Sequence, residues 1–143
     1  MPHQPRSWKT RKVTLRQGNG TPITTLTAEC LGTWTYHPTH KGGSYGKYIE
    51  FESDRWSVTH VLKGGVAFYC VTQQDARHCV EYLGTHWSTD YAQILARKDD
   101  FLGALQKARR EGTLLFYFGH ETPEVLQRLQ EDQWEQELIA ALG

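Results

Sequence analysis

Residues 56–75 read WSVTHVLKGGVAFYCVTQQD, and this stretch decides the fold class. Its opening alternates, with Trp56, Val58, His60 and Leu62 on one face and Ser57, Thr59 and Val61 on the other, which is the period of a strand. Lys63-Gly64-Gly65 turns the chain and Val66–Val71 returns as the hairpin partner. That run shows little alternation, so burial on both faces is expected. Thr72-Gln73-Gln74-Asp75 then has the form of a capping box with Asp in place of Glu. Ala76, Cys79, Val80 and Leu83 recur at helical spacing, and Gly84 reads as the stop. A hairpin running straight into a capped helix belongs to an α+β fold.

Toward the N-terminus the pattern stays strand-like. Val13 and Leu15 oppose Lys12, Thr14 and Arg16 across a strand that begins at Trp8. Gly18-Asn19-Gly20-Thr21-Pro22 is a turn. A Thr-rich strand region runs from Ile23 to His37, with Gly32 as a bulge. His37–Lys47 reads as a loop, and Tyr48–Glu52 as a short strand. Toward the C-terminus, Ser88 or Thr89 caps a short helix ending at Ala96. Asp99 or Asp100 caps another, with Phe101, Leu102, Leu105 and Ala108 inward and Gly112 as its stop. Leu114–Phe118 is a continuous apolar run expected as a central strand, parallel to Val66–Val71 through a right-handed crossover. Thr122-Pro123-Glu124 starts a long final helix through Val125, Leu126, Leu129, Trp134, Leu138 and Leu142. The expected architecture is a mostly antiparallel sheet of five or six strands with three or four helices packed on it, and a long C-terminal helix. Residues 1–7 form a basic flexible arm ahead of a single domain over 8–143.

Composition narrows the function classes. The chain has 143 residues, 38% of them apolar, and its 13 glycines bring that to about 47%, the norm for a globular domain. No apolar run approaches the roughly 18 residues of a membrane span. Met1–Lys12 has charge but no apolar core, so a secretory leader is not expected. The cysteines, Cys30, Cys70 and Cys79, are odd in number and lack a CxxC, which points away from a disulfide framework and toward a reduced, cytoplasmic setting. Sixteen basic residues balance sixteen acidic ones, but unevenly. Residues 1–48 hold Arg6, Lys9, Arg11, Lys12, Arg16, Lys41 and Lys47 against Glu29 alone, a net of +6. Residues 120–143 hold six acids against Arg128, a net of −5.

That asymmetry sets the leading expectation: a small non-catalytic binding or regulatory module for nucleic acid or a nucleoprotein. Arg6, Lys9, Arg11, Lys12, Arg16, Lys41, Tyr45 and Lys47 are its candidate contacts. Some of Trp34, Tyr36, Tyr45 and Tyr48 are expected at the surface, where aromatics can stack bases. The glycine loop is not a P-loop, because Lys41 stands where its first glycine belongs and Tyr48 where Ser or Thr must follow the lysine. A protein adapter or inhibitor, anchored by Trp134 on the final helix, is the second class. The hairpin and helix over 56–84 resemble a unit of small phage and mobile-element proteins, a likeness that names no activity.

A third class is a small histidine-dependent phosphoesterase. His37-Pro38-Thr39 and His86-Trp87-Ser88 resemble the paired signature of two-histidine phosphoesterases, whose motifs lie on adjacent strands. Here one falls in a loop and the other between helices. Gly119, His120 and Thr122 form a further candidate anion pocket ahead of a helix start. His37 and His40 have the spacing of a metal pair but no partner pair, and His60 reads as a satisfied core histidine. Neither a metal nor a cofactor is expected.

Overall fold

The computed structural model describes residues 7–17, 19–40 and 51–142. In chain order the elements are β1 (Trp8–Arg16), β2 (Pro22–Leu31), β3 (Trp34–His40), β4 (Phe51–His60), β5 (Val66–Cys70), α1 (Gln73–His86), α2 (Tyr91–Ala96), α3 (Lys98–Arg110) and α4 (Glu124–Leu142). The five strands form one antiparallel sheet in sequence order. This is the α+β arrangement the hairpin and capped helix imply.

One face of the sheet carries Trp34, Tyr36, Val58, Phe68 and Cys70. It packs on Ala76, Cys79, Val80 and Leu83 of α1, Ile94 of α2 and Phe101 and Leu105 of α3. The Thr72 hydroxyl caps α1 by accepting from the Asp75 N–H at 3.1 Å. Gly84 does not stop that helix, which runs on to His86. A Cβ at Gly84 would lie 2.6 Å from the Leu31 carbonyl oxygen, so the glycine is there for close helix–strand approach. The short helix α2 is capped by Asp90, whose carboxylate accepts from the Gln93 N–H at 2.9 Å, rather than by Ser88 or Thr89. Asp99 and Asp100 occupy the first turn of α3 and do not cap it.

The stretch expected as one strand from Ile23 to His37 is two. Gly32 and Thr33 form a two-residue hairpin turn, with Gly32 at φ +61°, the conformation such a turn asks of its first central residue. His37–His40 continues β3 instead of opening a loop. The crossover is also corrected. Leu114–Phe118 is buried but meets the sheet through one antiparallel bridge, in which Tyr69 and Tyr117 exchange N–H···O bonds of 2.9 Å.

The second face of the sheet is closed by the sheet itself. β1 and β2 pair along their length, but β2 pairs with β3 only at Cys30–Thr35 and Leu31–Trp34. Beyond that point the β1–β2 hairpin swings across the open face until the Arg16 N–H reaches the Gly64 carbonyl at 2.9 Å. Val13, Leu15, Ala28 and Cys30 form a small second core there, against Ile23, Leu26 and Val61. The same face buries Thr35, His37, Thr39, Ser57 and Thr59. Buried hydroxyls are costly unless bonded. Here Thr39 bonds Ser57 at 2.8 Å, His37 Nε2 bonds Thr59 at 2.8 Å, and Thr35 donates to the Glu29 carbonyl at 2.7 Å.

Candidate nucleic-acid interface

β1 is an edge strand with four exposed cations and no acid along it. Strand alternation divides them. Lys9 and Arg11 pair with Cys30 and Ala28 across the strands and share their face, and with Ser7, Cys30 and Gly32 they line a depression of about 250 Å³. Lys12 projects from the other face. Arg16 stands apart, about 20 Å along the strand from Lys9, and its Nη1 donates to the Gly20 carbonyl at 3.1 Å. The strand therefore puts Lys9 and Arg11 together on one face with Lys12 beside them on the other, and sets Arg16 aside. Arg6, Lys41, Tyr45 and Lys47 lie outside the described residues, as does the side chain of Trp134.

The one acid of the first 48 residues is taken up locally. Glu29 lies opposite Thr10 in the register, and Arg77 of α1 pairs with its carboxylate at 2.6 Å. The Tyr36 hydroxyl donates to the same oxygen. Burial and then the Glu29 hydrogen bond raise the Tyr36 pKa, so the phenol stays a donor. The Tyr36 hydrogen bond and the Glu29 charge raise that of Arg77. Arg77 also lies 4.1 Å from the centroid of the Trp8 ring. Glu29 is thus paired with Arg77 of α1. Among the described residues no carboxylate pairs with Lys9, Arg11 or Lys12.

The sequence reading missed this Glu29–Tyr36–Arg77 cluster because its members lie far apart in the chain. The aromatic expectation is corrected: Trp34 and Tyr36 are buried in the main core, and Tyr45 and Tyr48 lie outside the described residues. Among the described residues, β1 therefore presents exposed cations with the half-buried Trp8 as its one aromatic.

Among the described residues His37, His60 and His86 do not converge. His37 is buried on the face opposite α1 and bonded to Thr59, and its Nδ1 lies 2.9 Å from the Pro38 carbonyl. His86 ends α1, where its exposed ring lies against Tyr82. The two His-x-Thr/Ser motifs thus sit on opposite sides of the sheet. His60 is satisfied at both ring nitrogens: Nδ1 accepts from the Lys63 N–H and Nε2 faces the Thr89 carbonyl at 2.8 Å, which fixes the neutral Nε2–H tautomer. At the candidate anion pocket before α4, the neighbouring Glu121 turns to Arg109 and the Phe118 N–H, and none of Gly119, His120 and Thr122 is among its hydrogen-bond partners. The Glu121 carboxylate accepts from the Phe118 N–H at 2.9 Å and pairs with Arg109 at 2.7 Å. Among the described residues no group of three His, Cys, Asp or Glu side chains is placed to hold a metal ion. No described helix is long and apolar enough to cross a membrane.

Comparison with known proteins finds no matching family model, curated protein or solved structure.

Proposed function

We propose that this chain is a non-catalytic binding module that engages nucleic acid, or a nucleoprotein, through the basic edge strand β1. The observation that carries the reading is the run Lys9, Arg11, Lys12: exposed, closely spaced and without a carboxylate partner among the described residues. Phosphates are the ligands such an unpaired run suits, and recognition by it is sequence-tolerant. The three free cysteines fit a reducing cytoplasmic location for such a module.

The test is binding of the full chain to single- and double-stranded DNA and RNA at about 50 and 200 mM salt. A Lys9→Glu/Arg11→Glu/Lys12→Glu variant runs in parallel. The expected result is salt-steep binding that the variant loses, the log–log slope falling by about 0.9 for each duplex phosphate contact removed. Edge-strand cations also keep sheets from pairing edge to edge. If that is their whole role, the native chain binds no nucleic acid even at low salt, which overturns the proposal.

A second reading has its own observation. Ile139 and Leu142 of α4 are 64% and 81% exposed, and with Trp134 on the same long helix they suit a protein partner, as in an adapter or inhibitor. That binding is apolar and changes little with salt.

A further inference from the structure

A cavity of about 630 Å³ opens between the β4–β5 hairpin and helices α2 and α3. Its size lies within the roughly 300–1,000 Å³ of small-molecule sites. Its floor is the buried Phe68 and Leu105, and the apolar side chains open to it are Ala67 of β5, Leu95 of α2, Leu102 of α3 and Phe118. Three cations line it as well, Arg16, Lys63 and Lys98, and all three are exposed. No acidic residue is among its described lining residues.

These cations come from three separate elements: the end of β1, the β4–β5 turn and the start of α3. Among the described residues neither lysine pairs with a carboxylate. Lys63 Nζ stands 5.3 Å from the centroid of the Tyr91 ring, which draws it toward the α2 side. His60 also lines the cavity, but its ring nitrogens are committed to Lys63 N–H and the Thr89 carbonyl, so it adds a neutral wall. Leu95, which is 52% exposed, extends the apolar lining toward solvent. An apolar chamber with an all-cationic rim is complementary to one chemistry, an apolar body carrying a single anionic head.

We infer that this cavity binds an amphipathic anion, a long-chain acyl or alkyl group ending in a carboxylate or phosphate. The chain lies against Leu95, Leu102 and Phe118, and the head meets Lys63 and Lys98. The site is separate from Lys9, Arg11 and Lys12 and stands whether or not the chain binds nucleic acid.

The test is calorimetric titration of the full chain with three probes that share a twelve-carbon tail. Dodecanoate and dodecyl phosphate supply the two anionic heads, and dodecyltrimethylammonium supplies a cationic one. All are kept below their micellar range. The expected result is saturable binding of one anion per chain, at least about tenfold tighter than the ammonium probe. A Lys63→Glu/Lys98→Glu variant changes two exposed side chains and keeps the core, and its preference is expected to reverse toward the ammonium. The ratio of the two anions tells a carboxylate site from a phosphate site. Equal affinity for the anionic and cationic probes, many ligands per chain, or no saturation at about 1 mM would each overturn the inference.

Discussion

Glu121 accepts from two directions at once, the Arg109 guanidinium at 2.7 Å and the Phe118 backbone N–H at 2.9 Å. Burial works to raise its pKa, but the hydrogen bonds and the Arg109 charge outweigh burial and hold the carboxyl below its ordinary range. Arg109 also lies 5.1 Å from the Phe116 ring centroid, so the pair ties the end of α3 to the buried Leu114–Phe118 run. A carboxyl whose pKa is lower folded than unfolded stabilises the fold fully above its unfolded value. That stabilisation is lost as pH falls through the folded value. Glu121→Gln should therefore cost about 1–3 kcal/mol near neutral pH. The gap from the native chain should close as pH drops below the depressed carboxyl pKa. Urea unfolding of both proteins at a series of pH values reads this directly, and a pH-independent gap would show that packing, not charge, does the tying.

At the scale of elements, two glycines on helices make opposite predictions. Alanine favours a helix over glycine by about 1 kcal/mol. Gly103 of α3 has nothing within 4 Å of where a Cβ would sit, so Gly103→Ala should stabilise by about 0.5–1 kcal/mol. At Gly84 the added carbon would meet the Leu31 carbonyl oxygen at 2.6 Å and the Leu31 side chain at 2.8 Å. The same substitution there should destabilise, by about 1–3 kcal/mol, because α1 must move off β2. Paired thermal or urea melts decide it, and similar shifts at both positions would contradict the packing argument. Gly84 also shows where sequence reading stops. A glycine after an apolar helical stripe has the signature of a stop, and only the neighbouring strand shows that it is a contact. Elements specified locally were legible: the alternation of β1, the Gly-Gly turn before β5, the Thr72 cap. What depended on distant partners was not. The Leu114–Phe118 run has the composition of a central strand, yet with one bridge to β5 it serves as buried filler. His37 looked like a loop residue because Pro38 and the glycines beyond it hid a strand that pairs with β4. The candidate interface was legible as charge, since Lys9, Arg11 and Lys12 sit together on β1. Its neutralised acid was not, because Arg77 reaches Glu29 from another element.

Over the whole molecule, the sheet joins two bodies of unequal strength. β3, β4, β5 and helices α1, α2 and α3 share the main core, with Trp34, Phe68, Leu105 and Phe116 fully buried in it. The β1–β2 hairpin has its own small core and is joined to the rest by pairing with β3 at Cys30 and Leu31, by the Glu29–Tyr36–Arg77 cluster, by Leu31 and Trp8 against the main core, and by the Arg16–Gly64 bond. Less buried apolar area means less free energy to open. The hairpin should therefore behave as a sub-global unit, its amides exchanging at least about 1 kcal/mol more readily than those of β4 and α1. Gly64 supplies the perturbation that tests this. Its φ is +72°, and a Cβ there would lie 2.5 Å from the Thr14 carbonyl oxygen, so Gly64→Ala strains the closure while leaving the main core untouched. Native-state hydrogen exchange should then show protection falling at Val13, Leu15 and Ala28 and holding at Val58 and Val80. Loss of protection at all five positions together would mean that the hairpin and the helical body unfold as one. In that case the basic strand is held as rigidly as the core.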